Sequence, residues 1–219
     1  MEFGTIRLLL GPMFAKKSTR LREELGTFTD LGLKCLLIVH EHHKRETAAG
    51  DEFFSTHHSQ YTGMSPKIKR CLASKLSDVD VSSYGAVGVD EGQFFPDIET
   101  VDQWRQNGKI VIVAGLVGDF KRRPFGNIKE LISMTDPDNI MHLTAWCVHC
   151  FKGNRLVKAG FTAKKSNVGP QKEVGAADLY MPLCYECHVK HTMQQETDEC
   201  QTITLEQLEA EGSLKVSLS

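Results

Sequence analysis

Apolar residues in this chain gather in short runs separated by polar turns. The first, Thr5-Ile-Arg-Leu-Leu-Leu10, stops at Gly11-Pro12. From Ser18 to Asp30 the pattern becomes helical, with Leu21, Leu25 and Phe28 forming one apolar stripe at spacings of four and three. Strand-sized runs return at Lys34-Cys-Leu-Leu-Ile-Val39, entered through Gly32, and at Tyr84-Gly-Ala-Val-Gly-Val89. The strongest is Lys109-Ile-Val-Ile-Val-Ala-Gly-Leu116. Between the last two, Ile98 to Asn107 reads as a helix closed by Gly108. Runs that are apolar on both faces and alternate with helices predict an α/β fold, a parallel sheet covered on both sides. Ligands of such sheets sit at the carboxyl ends of the strands. Here those ends carry Gly11 to Ser18, His40 to Arg45, Asp90 to Gln93 and Gly118 to Arg123.

The pattern changes near Leu143. Two Cys-x-x-Cys pairs, Cys147/Cys150 and Cys184/Cys187, bracket a Gly- and Lys-rich stretch without a strong period. The reading is a nucleotide-binding α/β domain over 1–142, a small metal-binding module with a long loop over 143–192, and a tail over 193–219. In the tail, Thr204 and Gln207 form a capping box and Gly212 marks the end of one short helix.

Composition narrows the class. The chain has 219 residues, 41% hydrophobic and 25% charged, the mix of a soluble globular protein. Its 26 Lys and Arg against 28 Asp and Glu leave a net charge of −2, with a pI near 6.5. That balance argues against bulk binding of nucleic acid or of an anionic membrane. No apolar run reaches the roughly 18 residues of a membrane span, and Met1-Glu-Phe-Gly4 lacks the form of a signal peptide. The seven cysteines of an unsignalled chain point to a metal rather than to disulfides, so a cytoplasmic protein is expected.

Gly11-Pro12-Met13-Phe14-Ala15-Lys16-Lys17-Ser18-Thr19 follows a strand and opens a helix, the setting of a Gly-x4-Gly-Lys-Ser/Thr phosphate loop. In that motif backbone N–H groups cradle phosphates, the lysine reaches the terminal phosphates and the hydroxyl meets Mg²⁺. Gly11, Lys17 and Ser18 fit. Lys16 stands where the second glycine belongs, and its Cβ and cationic stem are expected to crowd the phosphate-binding backbone. Asp90-Glu91-Gly92-Gln93 ends a buried strand. There one acid can hold Mg²⁺ and another can take the acceptor's proton, although the same residues also make a plain polar turn. Cys147, Cys150, Cys184 and Cys187 form a four-thiolate set suited to structural Zn²⁺. His149 and His188, beside them, read as bystanders. Cys35 reads as a small core residue, while Cys71 and Cys200 carry no motif. The cluster His40-Glu41-His42-His43 reads as a solvated loop at the mouth of the nucleotide cleft rather than a metal site.

Together, Gly-Pro-Met-Phe-x-x-Lys-Ser-Thr, Asp-Glu-Gly-Gln-Phe-Phe-Pro-Asp, Pro124-Phe125-Gly126 and Leu143-Thr144-Ala145 leading into the cysteine pairs resemble the cytosolic-type (type II) thymidine kinase family. The resemblance runs from about residue 5 to residue 190. It implies a P-loop NTPase-like parallel sheet flanked by helices, with a small zinc-binding lasso domain. It implies transfer of the γ-phosphate of ATP, with Mg²⁺, to the 5′-hydroxyl of thymidine and often of deoxyuridine, by a homotetramer. ATP and Mg²⁺ would be held by residues 11–18, by His43, Lys44 and Arg45, and by Asp90, Glu91, Gly92 and Gln93. Glu91 would be the general base, Asp90 would help place Mg²⁺, and Arg45 would steady the phosphates. Phe120 would stack on the thymine ring, with Met13 and Leu116 shaping the slot. Tyr180 and the stretch Gln171, Lys172, Glu173, Val174 and Gly175 would close over the nucleoside. Lys16, His43 and Val117 depart from the family pattern on this face. They keep a second reading open, a catalytically impaired copy with a structural or regulatory role. A third, another kinase or ATPase with a zinc module, fits the phosphate loop but not the combined motifs.

Overall fold

The structure, a computed structural model, describes residues 4–41, 68–165 and 179–197. In chain order the elements are β1 (Thr5–Leu10), α1 (Lys17–Asp30), β2 (Cys35–His40), β3 (Ile68–Ala73), β4 (Ala86–Asp90), α2 (Thr100–Gln106), β5 (Ile110–Gly115), α3 (Ile128–Met134) and β6 (Ile140–His142). Then follow β7 (Ala145–Trp146), α4 (Val148–Lys152), β8 (Lys158–Ala159), β9 (Phe161–Lys164) and β10 (Tyr180–Leu183). A last helix, α5, covers 185–197.

Six strands form one sheet in the order β3-β2-β4-β5-β1-β6, every pair parallel. Alternation along the strands divides their side chains between two cores. On one face Leu9, Leu37, Val39, Ile112 and Ala114 pack with Leu21 and Leu25, the stripe of α1. On the other, Leu8, Leu10, Ile38, Val89 and Val113 pack with Val101 and Trp104 of α2 and with Ile128 and Leu131 of α3. Both faces are dry, which is why these strands read as unbroken apolar runs.

The predicted strands and α1 stand within a residue or two of their expected places. The helix expected over 98–107 is shorter, Thr100–Gln106, with Ile98 buried in the core ahead of it and Gly108 at φ 78° behind it. Three elements of the main sheet layer were not anticipated. β3 carries Lys69 and Arg70 among its apolar residues because it is an edge strand. β6 has three residues, and α3 is seven residues long with no side-chain cap.

Beyond the sheet, β7 pairs with β8 and β9 with β10, each antiparallel. Ala145, Cys147, Cys150, Ala159, Ala163, Met181 and Leu183 make a separate small core. The helix expected in the tail lies outside the described residues. Among the described residues no helix is long and apolar enough to cross a membrane.

Candidate active site

The loop from β1 to α1 is shaped by two backbone demands. Gly11 passes so close to the chain at Leu143 that a Cβ would lie 2.3 Å from that residue's carbonyl oxygen. Phe14 and Lys16 both adopt left-handed conformations, at φ 66° and φ 60°. Lys16 thus supplies, at a torsional cost, the backbone conformation that glycine adopts freely. Its side chain is exposed rather than packed into the loop. The crowding expected from sequence is therefore corrected: the penalty at Lys16 lies in its own backbone torsion, not in a stem filling the phosphate-binding concavity.

Lys17 is buried, and its ammonium donates to the Pro12 carbonyl at 2.9 Å, reaching back across the loop it follows. Burial lowers its pKa below the ordinary lysine value, while the carboxylates of Glu91 and Asp90 pull in the opposite direction. A buried cation at the start of a helix is an electrostatic arrangement suited to an anion.

Ser18 Oγ donates to Asp90 Oδ1 at 2.9 Å, so the first turn of α1 meets the end of β4. The same carboxylate oxygen accepts the Glu91 N–H at 3.1 Å. A hydroxyl and a carboxylate side by side are the hard oxygen ligands that suit Mg²⁺. Glu91 itself is held at φ 54°, another left-handed non-glycine residue. Its Oε2 accepts from Gln93 Nε2 at 2.6 Å, while Gln93 Oε1 accepts the Leu116 N–H at 3.0 Å. Those two partners fix which way the buried amide faces, since the carboxylate only accepts and the backbone N–H only donates. Gln93 therefore aims Glu91 from a support at the end of β5. Gly126, at φ 59°, packs against this turn; a Cβ there would lie 2.2 Å from the Gln93 carbonyl oxygen.

Phe120 lies on the loop after β5, its ring buried. Asp119 folds this loop by accepting the N–H groups of Lys121 and Arg123, each at 2.8 Å, and by pairing with the Arg123 guanidinium. The ring is flanked by two ammonium groups, Lys164 Nζ at 5.6 Å and Lys121 Nζ at 5.7 Å from its centroid. Across the space, the Met13 N–H donates to Thr162 Oγ1 at 2.9 Å, joining the phosphate loop to β9. Tyr180 is buried on β10, opposite Lys164 in the ladder.

Cys147, Cys150, Cys184 and Cys187 bring their sulfurs together, all within 4.8 Å of one another. Cys150 Sγ is 3.8 Å from Cys184 Sγ and 3.6 Å from Cys187 Sγ. A tetrahedron with metal–sulfur arms of about 2.3 Å has edges of about 3.8 Å, so this set can hold a metal ion. Burial opposes the Cys147 thiolate, but hydrogen bonds from the backbone and side chains of Cys184 and Cys150 outweigh it and bring the pKa down to about 7. Burial and the neighbouring thiols push Cys187 the other way.

The structure thus brings Lys17, Ser18, Asp90, Glu91 and Gln93 to one place, and it joins Met13 to Thr162 and Phe120 to Lys164 and His188 of the cysteine module, where Tyr180 pairs with Lys164. His43, Lys44, Arg45 and Gln171 to Gly175 lie outside the described residues. Within the histidine cluster the expected solvated loop needs correction at its start. His40 is the last residue of β2, buried edge-on to Phe95 at 4.9 Å between ring centroids. Two further residues, Asp119 and Thr162, left no local pattern in the sequence. His188, read there as a bystander to the metal ligands, stands outside the cysteine cluster, and its imidazole bonds the Phe120 carbonyl.

A family model described as thymidine kinase matches residues 4–188. The chain is 34% identical over 192 residues to the thymidine kinase of vaccinia virus (strain Ankara), covering 86% of this chain and 99% of that one. The thymidine kinase of variola virus (isolate Human/India/Ind3/1967) matches at the same identity and coverage. That of raccoon poxvirus is 33% identical over 191 residues, again across 86% of this chain and 99% of the relative.

Proposed function

We propose that this chain, which belongs to the thymidine kinase family, transfers the γ-phosphoryl group of ATP to the 5′-hydroxyl of thymidine. The observation that carries this reading is the joined set of Lys17, Ser18, Asp90, Glu91 and Gln93, with Glu91 held by a 2.6 Å hydrogen bond from Gln93. Glu91 takes the proton of the 5′-hydroxyl as its oxygen forms a bond to the γ-phosphorus. The bond from that phosphorus to the bridging oxygen breaks, and ADP leaves. Lys17 offsets charge on the terminal phosphates, helped by the loop over residues 11–18 and by Arg45 with His43 and Lys44. Mg²⁺, which would spread charge over the phosphate oxygens, would be held by Ser18 and Asp90.

Phe120 provides a flat wall for the thymine ring, with Met13 and Leu116 beside it, and Tyr180 with Gln171 to Gly175 covers the nucleoside. The four cysteines hold structural Zn²⁺. The division of the chain at residues 142 and 192 leaves the phosphate chemistry and the base wall in the first domain and the cover of the nucleoside in the second. A homotetramer and a cytoplasmic location complete the reading. The impaired copy, the second sequence reading, draws no support from relatives that are themselves named thymidine kinases.

Glu91→Gln tests the mechanism. It keeps a hydrogen-bonding partner for Gln93 but removes the base, so thymidine turnover with MgATP is expected to fall by about 10²–10⁴-fold with zinc content unchanged. A variant as fast as the parent would remove Glu91 from the mechanism.

A further inference from the structure

We propose that His188 is a positioning residue that seats the base wall Phe120 from the metal module. The proposal rests on the reading of Phe120 as the surface on which the nucleobase stacks. Cys184 precedes α5 and Cys187 lies in its first turn, so a metal held by them fixes the start of that helix. The next residue, His188, is buried at 2% exposure. Its Nε2 lies 3.0 Å from the carbonyl oxygen of Phe120. A carbonyl only accepts, so Nε2 carries the proton and donates. The Phe161 ring stands 5.8 Å away between centroids.

The same face of α5 continues this contact. His191 and Gln195, three and seven residues on, both hydrogen-bond the Lys164 carbonyl, at 2.8 and 3.1 Å. Lys164 is the residue whose ammonium flanks the Phe120 ring. The helix that the metal anchors therefore lays a row of polar groups along β9 and the Phe120 loop. Thr162 of that strand also accepts the Met13 N–H of the phosphate loop. The imidazole packs beside the Phe161 ring, and its Nδ1 lies 3.5 Å from Thr192 Oγ1 of its own helix. What the imidazole adds is a directed donor to the one backbone carbonyl that fixes the stacking residue.

The test is steady-state kinetics on the full, metal-loaded chain for the parent, His188→Met and His188→Gln, with metal content measured in each. Met keeps bulk and loses the donor; Gln restores a donor at similar reach. The thymidine KM of His188→Met should rise about tenfold, the scale of one buried hydrogen bond, with kcat and the ATP KM within about twofold of the parent. His188→Gln should recover most of that loss, and it carries the test alone if the Met protein does not fold. A parent-like thymidine KM in His188→Met, a matching shift in both substrates, or a Gln variant no better than Met would overturn the assignment. So would loss of the metal from both variants, which would confine His188 to the module's own fold. A parent that fails to phosphorylate thymidine would refute the functional reading and this assignment with it.

Discussion

Lys16 offers the sharpest test of how the phosphate loop is built. It stands just before α1 at φ 60° and ψ 29°, without a side-chain cap, and its side chain is exposed. A residue with a Cβ costs about 1–2 kcal/mol in that left-handed region. Glycine removes the cost but enters folding from a more disordered chain, which returns about 0.4–1 kcal/mol. The net expectation for Lys16→Gly is a gain of about 0.5–1 kcal/mol, or about 1–4 °C in Tm for a chain of this size. Lys16→Ala isolates the cause, because it discards the charge and stem but keeps the Cβ; its Tm should stay with the parent. Thermal unfolding of the three metal-loaded proteins without nucleotide reads this directly. Turnover adds a second axis. Since Lys16 already holds the torsion glycine would choose, the loop amides keep their direction, and kcat should change by less than about tenfold on Lys16→Gly. Loss of one oriented donor would instead cost about 10²–10³-fold. An Ala variant that gains as much Tm as the Gly variant would refute the strain account. A hundredfold rise in kcat for Lys16→Gly at constant Tm would show that the side chain obstructs phosphate after all.

Two further outcomes follow from the same geometry. Gln93→Leu strands the Leu116 N–H and releases Glu91, so kcat should drop at least about tenfold and stability by about 1–3 kcal/mol, read by turnover and urea unfolding; unchanged turnover would mean that Glu91 needs no guide. Removing the metal, by chelation or by Cys150→Ser, should weaken thymidine binding by more than about tenfold and a fluorescent ATP analogue by clearly less, because β1 and α1, which flank the phosphate loop, pack in the sheet cores, while Phe14 and the Met13 N–H tie the described loop to the cysteine module. An equal loss for both ligands would show that the two units stand or fall together.

The sheet was legible because its inner strands are dry on both faces, and nothing but continuous apolar runs such as 34–39 and 109–116 satisfies that demand. α1 was legible from three residues, Leu21, Leu25 and Phe28. What escaped obeys other rules. β3 mixes Lys69 and Arg70 with apolar residues because an edge strand has one neighbour and a wet rim. α5 escaped because its structured face is polar: His188, His191 and Gln195 recur at helical spacing, but a search for apolar stripes passes over them. At the site, residues close in sequence, such as Lys17 with Ser18 and Asp90 with Glu91, announced themselves. Contacts across long separations did not, since nothing near Met13 foretells Thr162 and nothing near Phe120 foretells His188. The torsion of Lys16 was hidden for a different reason. Sequence gives the identity of a side chain in a loop but not the direction in which the backbone turns it.

The cysteine cluster has a consequence for the unfolded chain. A metal that joins Cys147 and Cys150 to Cys184 and Cys187 closes the segment 151–183 into a ring. If the clip acts as a crosslink does, it removes about 4 kcal/mol of conformational entropy from the open chain. That quantity depends on how many residues the ring contains and hardly at all on which ones. It also changes slowly, by about 0.6 kcal/mol for each doubling of length. Changes of length within 151–183, outside β8, β9 and β10 whose residues build the small core, are thus thermodynamically cheap so long as the two cysteine pairs stay intact. The segment proposed to cover the nucleoside can diversify in length while its ends remain pinned in place.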